Sequence, residues 1–533
     1  MKTGYSAAAI LFAGELREEA FKKCFGGKSA FELALKRTAA FPYVVKVTVL
    51  ASNNFDARLM PAGVERMVLT RKEAWNVKSL LHELARAGEG FDLSYFCWAD
   101  TPFLDGGLAE AVARRHLSGA AEYSYADGWP DGLAPEILSP GTAGILARIN
   151  GDNEAPVERD TIFAVLQKDI NGFDIETEIS EVDFRQRRLN LAACSKRNLL
   201  LLERLWEAGV SGAMNMADTA GDIIIRRPEL LRCLPAFYPV QVVSACPQRC
   251  QVCPYPKSDG FVFSGFPHGG EEGGGGGDFP VMKLEDFSSL LDKIVDFSGD
   301  AVVDLSLWGE LALHPGRIEL VGEVLRRPAL SLVIETSGIG WEKADFRTLA
   351  REAAAAAPRK NGMAALSWIV SLDSSDEAEY RATRGEGFSV ALENARSLFA
   401  LFPNDAYAQA LRMKGNEAHI EKFYRFWKDE GANVIIQKYD SFCGFLPDRS
   451  AADLSPVNRI PCWHLMRDMT ILLDGSVPVC RSAPPGSGET LGNVFSEDLD
   501  AIWRRGEERY ARHCAQNYDG PCSKCDEYYT FNF

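Results

Sequence analysis

The sequence predicts an α/β protein built on parallel sheets, ending in a cysteine-rich tail. Three observations predict it. Residues 1–230 carry near-continuous apolar runs that suit strands covered on both faces. From Pro239 onward, short apolar runs alternate regularly with longer amphipathic segments. The last 80 or so residues show little helical periodicity but hold five of the 13 cysteines.

The first run, Ala7-Ala-Ala-Ile-Leu-Phe-Ala13, reads as a buried strand. Residues 28–39 have a helical pattern, 43–50 and 93–98 read as further strands, and 190–208 as a helix with Leu and Trp at three- and four-residue spacing. In the second region the expected strands are 240–245, 301–308, 330–336, 366–373, 407–413 and 433–439. The expected helices are 284–297, 316–325, 343–354, 390–401 and 418–430. Six βα units imply a parallel sheet curling into a partial barrel, with chemistry at the strand C-termini. The glycine-rich stretch 269–278 reads as a surface loop, because no Gly-Lys-Ser/Thr follows it. Gly26-Gly27-Lys28-Ser29 fails the phosphate-loop pattern, since position 22 is Lys.

The chain has 533 residues, enough for about three or four folding units. Its 10 Trp, 15 Tyr and 30 Phe exclude a wholly disordered chain. With 74 acidic against 58 basic residues, a net charge of −16 argues against general nucleic-acid binding. No apolar run approaches the roughly 20 residues of a spanning helix, so no membrane partner is expected and a cytoplasmic location is. In that reducing compartment the cysteines are expected to be free thiols or metal ligands. Cys24, Cys97, Cys194, Cys233 and Cys443 are isolated and read as ordinary buried thiols.

The remaining cysteines cluster. Cys246-Pro-Gln-Arg-Cys250-Gln-Val-Cys253 follows the first strand of the βα repeat directly. Three thiolates on one short loop can hold three irons of a cubane and leave the fourth open. A structural zinc site is the alternative, though it needs a fourth local ligand, and His268 is the nearest histidine. This C-x3-C-x2-C pattern resembles the radical S-adenosylmethionine (SAM) enzymes. Later strand ends strengthen the resemblance: Leu307-Trp308-Gly309-Glu310 is similar to the family's Gly-Gly-Glu motif, and Glu335-Thr336-Ser337-Gly338 and Ser371-Leu372-Asp373 follow in register. The resemblance implies a [4Fe–4S] cluster on Cys246, Cys250 and Cys253. It places the SAM amino group at Trp308, Gly309 and Glu310, and the ribose or carboxylate near Ser337 and Ser371. Arg384 falls nearby, and Met413 near the adenine. One departure is Val252, where relatives carry an aromatic residue; Tyr255 is a substitute ring.

In the tail, Cys462, Cys480 (closing Gly475-x4-Cys480) and Cys522-x2-Cys525 resemble the SPASM/Twitch extension of peptide-modifying radical SAM enzymes. That resemblance implies one auxiliary [4Fe–4S] cluster on these four cysteines. Cys514 is left as a core thiol or a replacement ligand, and a four-cysteine zinc knuckle is the alternative.

The N-terminal region resembles nucleotidyltransferase and GT-A-like folds, closest to sugar-acid cytidylyltransferases. Gly14 and Arg17 stand where relatives have a glycine-rich loop with Arg. Lys22 or Lys23 stands at the phosphate-binding lysine, and Asp100-Thr-Pro-Phe103 at the metal-binding aspartate. Asp131 to Glu136 resembles the substrate loop, and Asp183-Phe-Arg185 the second metal-side segment. The nucleotide site so implied is Gly14, Arg17, Lys23 and Asp100, with Mg2+ bridging phosphates. The nest holds one glycine, and Glu18 and Glu19 lie close to the phosphate path. Either a degenerate binding or docking domain or an active transferase fits.

The whole arrangement resembles the spirochaete radical SAM/SPASM proteins called spiro-SPASM. It divides as 1–230 nucleotidyltransferase-like, 231–445 radical SAM partial barrel and 446–533 SPASM/Twitch-like. The expected activity is reductive SAM cleavage with hydrogen abstraction from a peptide or protein, fed by a small flavodoxin or ferredoxin. The alternative is a sugar-activating nucleotidyltransferase whose metal-bound C-terminal domains act as scaffold or sensor.

Overall fold

In the computed structural model, residues 4–52, 65–213, 215–258, 262–264, 279–482 and 489–530 are described. The stretch 269–278 and His268 lie outside them. The chain forms two units, Met1–Leu231 and Arg232–Phe533.

The first unit is a seven-stranded sheet of β1 (Ala7–Ala13), β2 (Val44–Ser52), β3 (Glu65–Arg71), β4 (Leu93–Trp98), β5 (Tyr123–Asp127), β6 (Glu136–Leu138) and β7 (Ile175–Ile179), in the order β3-β2-β1-β4-β6-β5-β7. Only β6 runs antiparallel to its neighbours. Every residue of β1 is buried, as expected for a central parallel strand. Gly26 and Gly27 take positive φ to turn the chain. Ser29 then caps helix Ala30–Thr38 in a reciprocal pair with Glu32, so this stretch serves as a helix entry. The predicted helix 190–208 begins only at Lys196, capped by Ser195. Residues 189–193 instead run beside Asp100 and Asp131, donating and accepting main-chain hydrogen bonds.

The second unit is built on a six-stranded, all-parallel sheet. Its strands are β8 (Phe237–Pro239), β11 (Ala301–Asp304), β12 (Leu330–Thr336), β13 (Leu366–Ser371), β14 (Ala406–Arg412) and β15 (Asn433–Lys438), ordered β15-β14-β13-β12-β11-β8. The pair β9 (Ala245–Cys246) and β10 (Val262–Phe263), and the hairpin β16 (Ser476–Pro478) and β17 (Thr490–Asn493), stand apart. The five expected helices are found within two residues at each end, and a further, unexpected helix, Glu377–Arg384, precedes Phe388–Leu401. The first strand differs: it was expected at 240–245, yet pairing with β11 covers Phe237–Pro239. After Pro239 the chain leaves that sheet to bring Cys246 against β10. The outer edge of β8 is covered by the C-terminal segment, which bridges Phe237 to Asp468 and Val240 to Ile471. This closes the edge and ties the cysteine-rich tail to the sheet. No helix among the described residues is long and apolar enough to cross a membrane.

Helices Lys343–Ala355 and Phe388–Leu401 pack on the sheet around Trp368, which is fully buried. Its ring meets Trp341 edge-on at 5.2 Å and Phe346 at 5.8 Å. Trp368→Ala is expected to cost about 3–5 kcal/mol, read as a lower urea midpoint for this unit; an unchanged midpoint contradicts this packing.

Candidate active site and metal centre

Cys246 ends β9, and the loop after it is pinned at several points. Gln248 Nε2 donates to Tyr380 Oη at 2.8 Å, the Gln251 N–H to the Thr383 carbonyl at 2.9 Å, and Tyr255 Oη to the Ser244 carbonyl at 2.6 Å. All three thiols line a cavity of about 600 Å³ at the strand C-termini. Burial pushes Cys253 up to about 12 and raises Cys246 and Cys250, with Arg384 opposing the rise at Cys250. Such thiols become thiolates when a metal supplies the opposing charge. Tyr255 packs with Leu307 and Trp308 beside Cys253.

The donor spacing tests what these thiols fit. One tetrahedral zinc, with Zn–S bonds near 2.3 Å, draws its thiolates to about 3.8 Å of one another. No three cysteine sulfurs among the described residues lie within 4.8 Å of one another; the single group of that kind is Asp440, Asp526 and Glu527. The three sulfurs of the triplet are therefore not drawn together around a single point.

The second strand end supplies Trp308, Gly309 and Glu310. Trp308 takes φ +44°, and its carbonyl accepts from Gln241 Nε2 at 2.8 Å. A Cβ on Gly309 would stand 2.2 Å from the Val243 carbonyl oxygen, so only glycine fits. The Glu310 carboxylate is buried and accepts from Thr336 Oγ1 (2.6 Å), the Ser337 N–H (2.8 Å) and Ser337 Oγ (2.7 Å). Burial raises its pKa, and these donors pull it down. On the next strands, Glu335 accepts from Ser371 Oγ and from Gln409 Nε2 at 2.7 Å. Arg384 pairs with Asp373 at 2.7 Å, both side chains almost fully buried. The cavity therefore gathers Cys246, Cys250, Cys253, Trp308, Gly309, Glu310, Ser337, Ser371 and Arg384. Met413, expected near the adenine, is not among its lining residues; it packs with Cys250, Val252, Tyr439 and Leu446.

The opposite wall carries charges that no motif announced. Lys438 pairs with Asp526 at 2.7 Å and with Glu527, and Asp440 and Arg481 stand beside them. Burial pushes Asp304 and Asp440 up to about 6. Arg481, next to Cys480, feels Asp468, Asp440, Asp304 and Glu527.

Behind this wall Cys462, Cys480, Cys522 and Cys525 are electrostatic neighbours. The Ser482 N–H donates to Cys480 Sγ and the Glu527 N–H to Cys525 Sγ, both at 3.4 Å, the kind of contact that supports a ligating sulfur. Cys443, read from sequence as an ordinary thiol, joins this group: its side chain hydrogen-bonds Cys525 and lies near Cys480. It sits in a left-handed turn after β15, with Phe442 at φ +50° and Cys443 at +58°; a lone cysteine gives no sequence signal for this. Cys514, on helix Glu507–Cys514, packs in the apolar cluster that holds Cys462.

In the first unit each implied nucleotide residue has a partner or a packing role within the fold. Gly14 is required by packing, since a Cβ there would meet Trp75 at 2.3 Å. Lys23 pairs with Glu32 at 3.6 Å. Arg17 and Asp100 both lie near Cys194, and Asp100 is bound by Arg159. In the cavity, Gly309→Ala is expected to cost about 1–3 kcal/mol through forced displacement of the Val243 main chain. It should lower Tm and the iron retained after reconstitution; native values for both contradict the close approach.

Residues 462–526 match the SPASM family model, an iron–sulfur cluster-binding domain. Among solved structures, the chain is similar to Streptococcus suis SuiB bound to S-adenosylmethionine, at 12% identity, 54% of this chain, 70% of that one and a TM-score of 0.38. It is also similar to a cytidylyltransferase from Leptospira borgpetersenii, at 17% identity, 42% of this chain, 95% of that one and a TM-score of 0.34. An uncharacterized protein of Treponema pallidum (strain Nichols) is 38% identical over 379 residues, which cover 70% of this chain and 98% of the relative. The chain is a SPASM-domain-containing protein and belongs to the family of that Treponema protein.

Proposed function

We propose that the second unit is a radical SAM enzyme. A [4Fe–4S] cluster is held by Cys246, Cys250 and Cys253, and one auxiliary cluster by Cys462, Cys480, Cys522 and Cys525. The observation that carries this reading is the convergence, on one cavity at the strand C-termini, of the three thiols of one short loop and the Trp308-Gly309-Glu310 strand end. A cluster held by Cys246, Cys250 and Cys253 would supply the single electron that cleaves the sulfur–C5′ bond of SAM to methionine and a 5′-deoxyadenosyl radical, the species that would take a hydrogen atom from the substrate.

The chain's own residues prepare that event. The buried loop fixes three thiolates and leaves the cavity side open to SAM. The Trp308 main chain and Glu310 receive the methionine ammonium; Thr336 and Ser337 hold the carboxylate in place, and the ammonium supplies the charge its burial demands. Ser371, set by Glu335 and Gln409, faces the ribose. Leu411, rather than Met413, lines the cavity at the β14 end and is assigned to the adenine. Arg384 braces the loop beside Cys250 through its ion pair with Asp373. The polar wall around Lys438, Asp440 and Arg481 receives the substrate, proposed to be a peptide or protein in keeping with the SPASM resemblance. The reading places the protein in the cytoplasm, with a flavodoxin or ferredoxin as electron donor. It divides the chain at 1–230, 231–445 and 446–533.

The test is reductive SAM cleavage by anaerobically reconstituted protein. Wild type is expected to release 5′-deoxyadenosine, and Cys250→Ala to fall to background, at least about 100-fold lower. No cleavage by loaded wild type, or equal cleavage by the variant, contradicts the proposal.

A further inference from the structure

The carboxylates that a metal-dependent nucleotidyl transfer needs are present in the first unit, and they already hold cations. Asp100 stands just past β4 and is 3% exposed. Its Oδ2 accepts from Arg159 Nη2 at 2.5 Å, and the guanidinium lies over the Trp98 ring, 4.6 Å from its centroid. Arg159 also feels the charge of Asp131 and Cys194, but its ion pair is with Asp100. Both aspartates are fixed by the same strap: the Ala193 N–H donates to the Asp100 carbonyl, and Asp131 exchanges main-chain bonds with Leu189 and Leu191. The second metal-side segment is committed as well, because Asp183 pairs with Arg185 at 2.8 Å and Arg185 with Asp127 at 3.0 Å.

Mg2+ does not fit this arrangement. It demands near-octahedral oxygen ligation and keeps several waters, so its carboxylate must show a solvent-facing edge. Asp100 Oδ1 is buried and without a hydrogen-bond partner, and Oδ2 is taken by Arg159. A cation that reached Asp100 would have to displace a guanidinium stacked on Trp98, leaving that charge partly buried and unpaired, which is costly. The nest offers no compensation, since Gly14 serves the packing of Trp75 and Phe12.

We infer that Arg159 is the resident counter-ion of Asp100, standing where a divalent metal would bind, and that the first unit performs no metal-dependent nucleotidyl transfer. The inference is independent of the radical SAM reading, because it concerns the other unit and other residues.

The test is Mn2+ titration of the reconstituted full chain, followed by the EPR signal of free Mn2+. Wild type and Asp100→Asn are expected to bind Mn2+ identically. Arg159→Gln is expected to gain about one ion per chain, lost again in Asp100→Asn/Arg159→Gln. A wild-type Mn2+ site that disappears in Asp100→Asn overturns the inference, as does a folded Arg159→Gln with no gained ion. Should Arg159→Gln fail to fold, the comparison of wild type with Asp100→Asn decides: identical Mn2+ binding by the two supports the inference, and a wild-type site lost in Asp100→Asn overturns it.

Discussion

Two groups of buried thiols impose the constraint to which the second unit is fitted. Burial raises the pKa of Cys246, Cys250 and Cys253, so each stays a neutral thiol unless a positive charge stands beside it. The fold is arranged around that demand. The chain leaves the sheet after Pro239 to present the triplet, and Gly309 lets the second strand end approach the Val243 carbonyl. The C-terminal segment lies along β8, placing Cys462 before that added edge and Cys480 after it.

Charge balance follows the same logic. Each buried ionic group at the cavity meets an opposite partner or several donors: Arg384 meets Asp373, Lys438 meets Asp526 and Glu527, and Glu310 meets Thr336 and Ser337. Buried charges persist only when so compensated. Asp304 and Asp440, both pushed up to about 6, are the least satisfied of these and face the space given to the substrate.

What could be read from the sequence was local. C-x3-C-x2-C sits on one loop, and the β12 and β13 ends carry their polar residues immediately after an apolar run, so pattern and place coincided. Contacts that depend on distant pairing could not be read. Cys443 reaches Cys525 across 82 positions through a left-handed turn, and Arg159 reaches Asp100 across 59. Asp100 was recognisable as a strand-end carboxylate, but its occupant was not. Met413 ends the expected strand, yet the bend after Arg412 turns it behind the cysteine loop rather than into the cavity. The first strand was placed late because the apolar run continues beyond the residues that pair.

The most direct measurement is iron and sulfide content with Mössbauer spectra, on wild type, on the Cys246/Cys250/Cys253 triple alanine variant and on Cys462→Ala/Cys480→Ala. Two [4Fe–4S] clusters predict about eight irons in wild type and about four in each variant, all as cubane iron. Zinc in place of iron after reconstitution, or an iron content that the triplet variant leaves unchanged, contradicts the account.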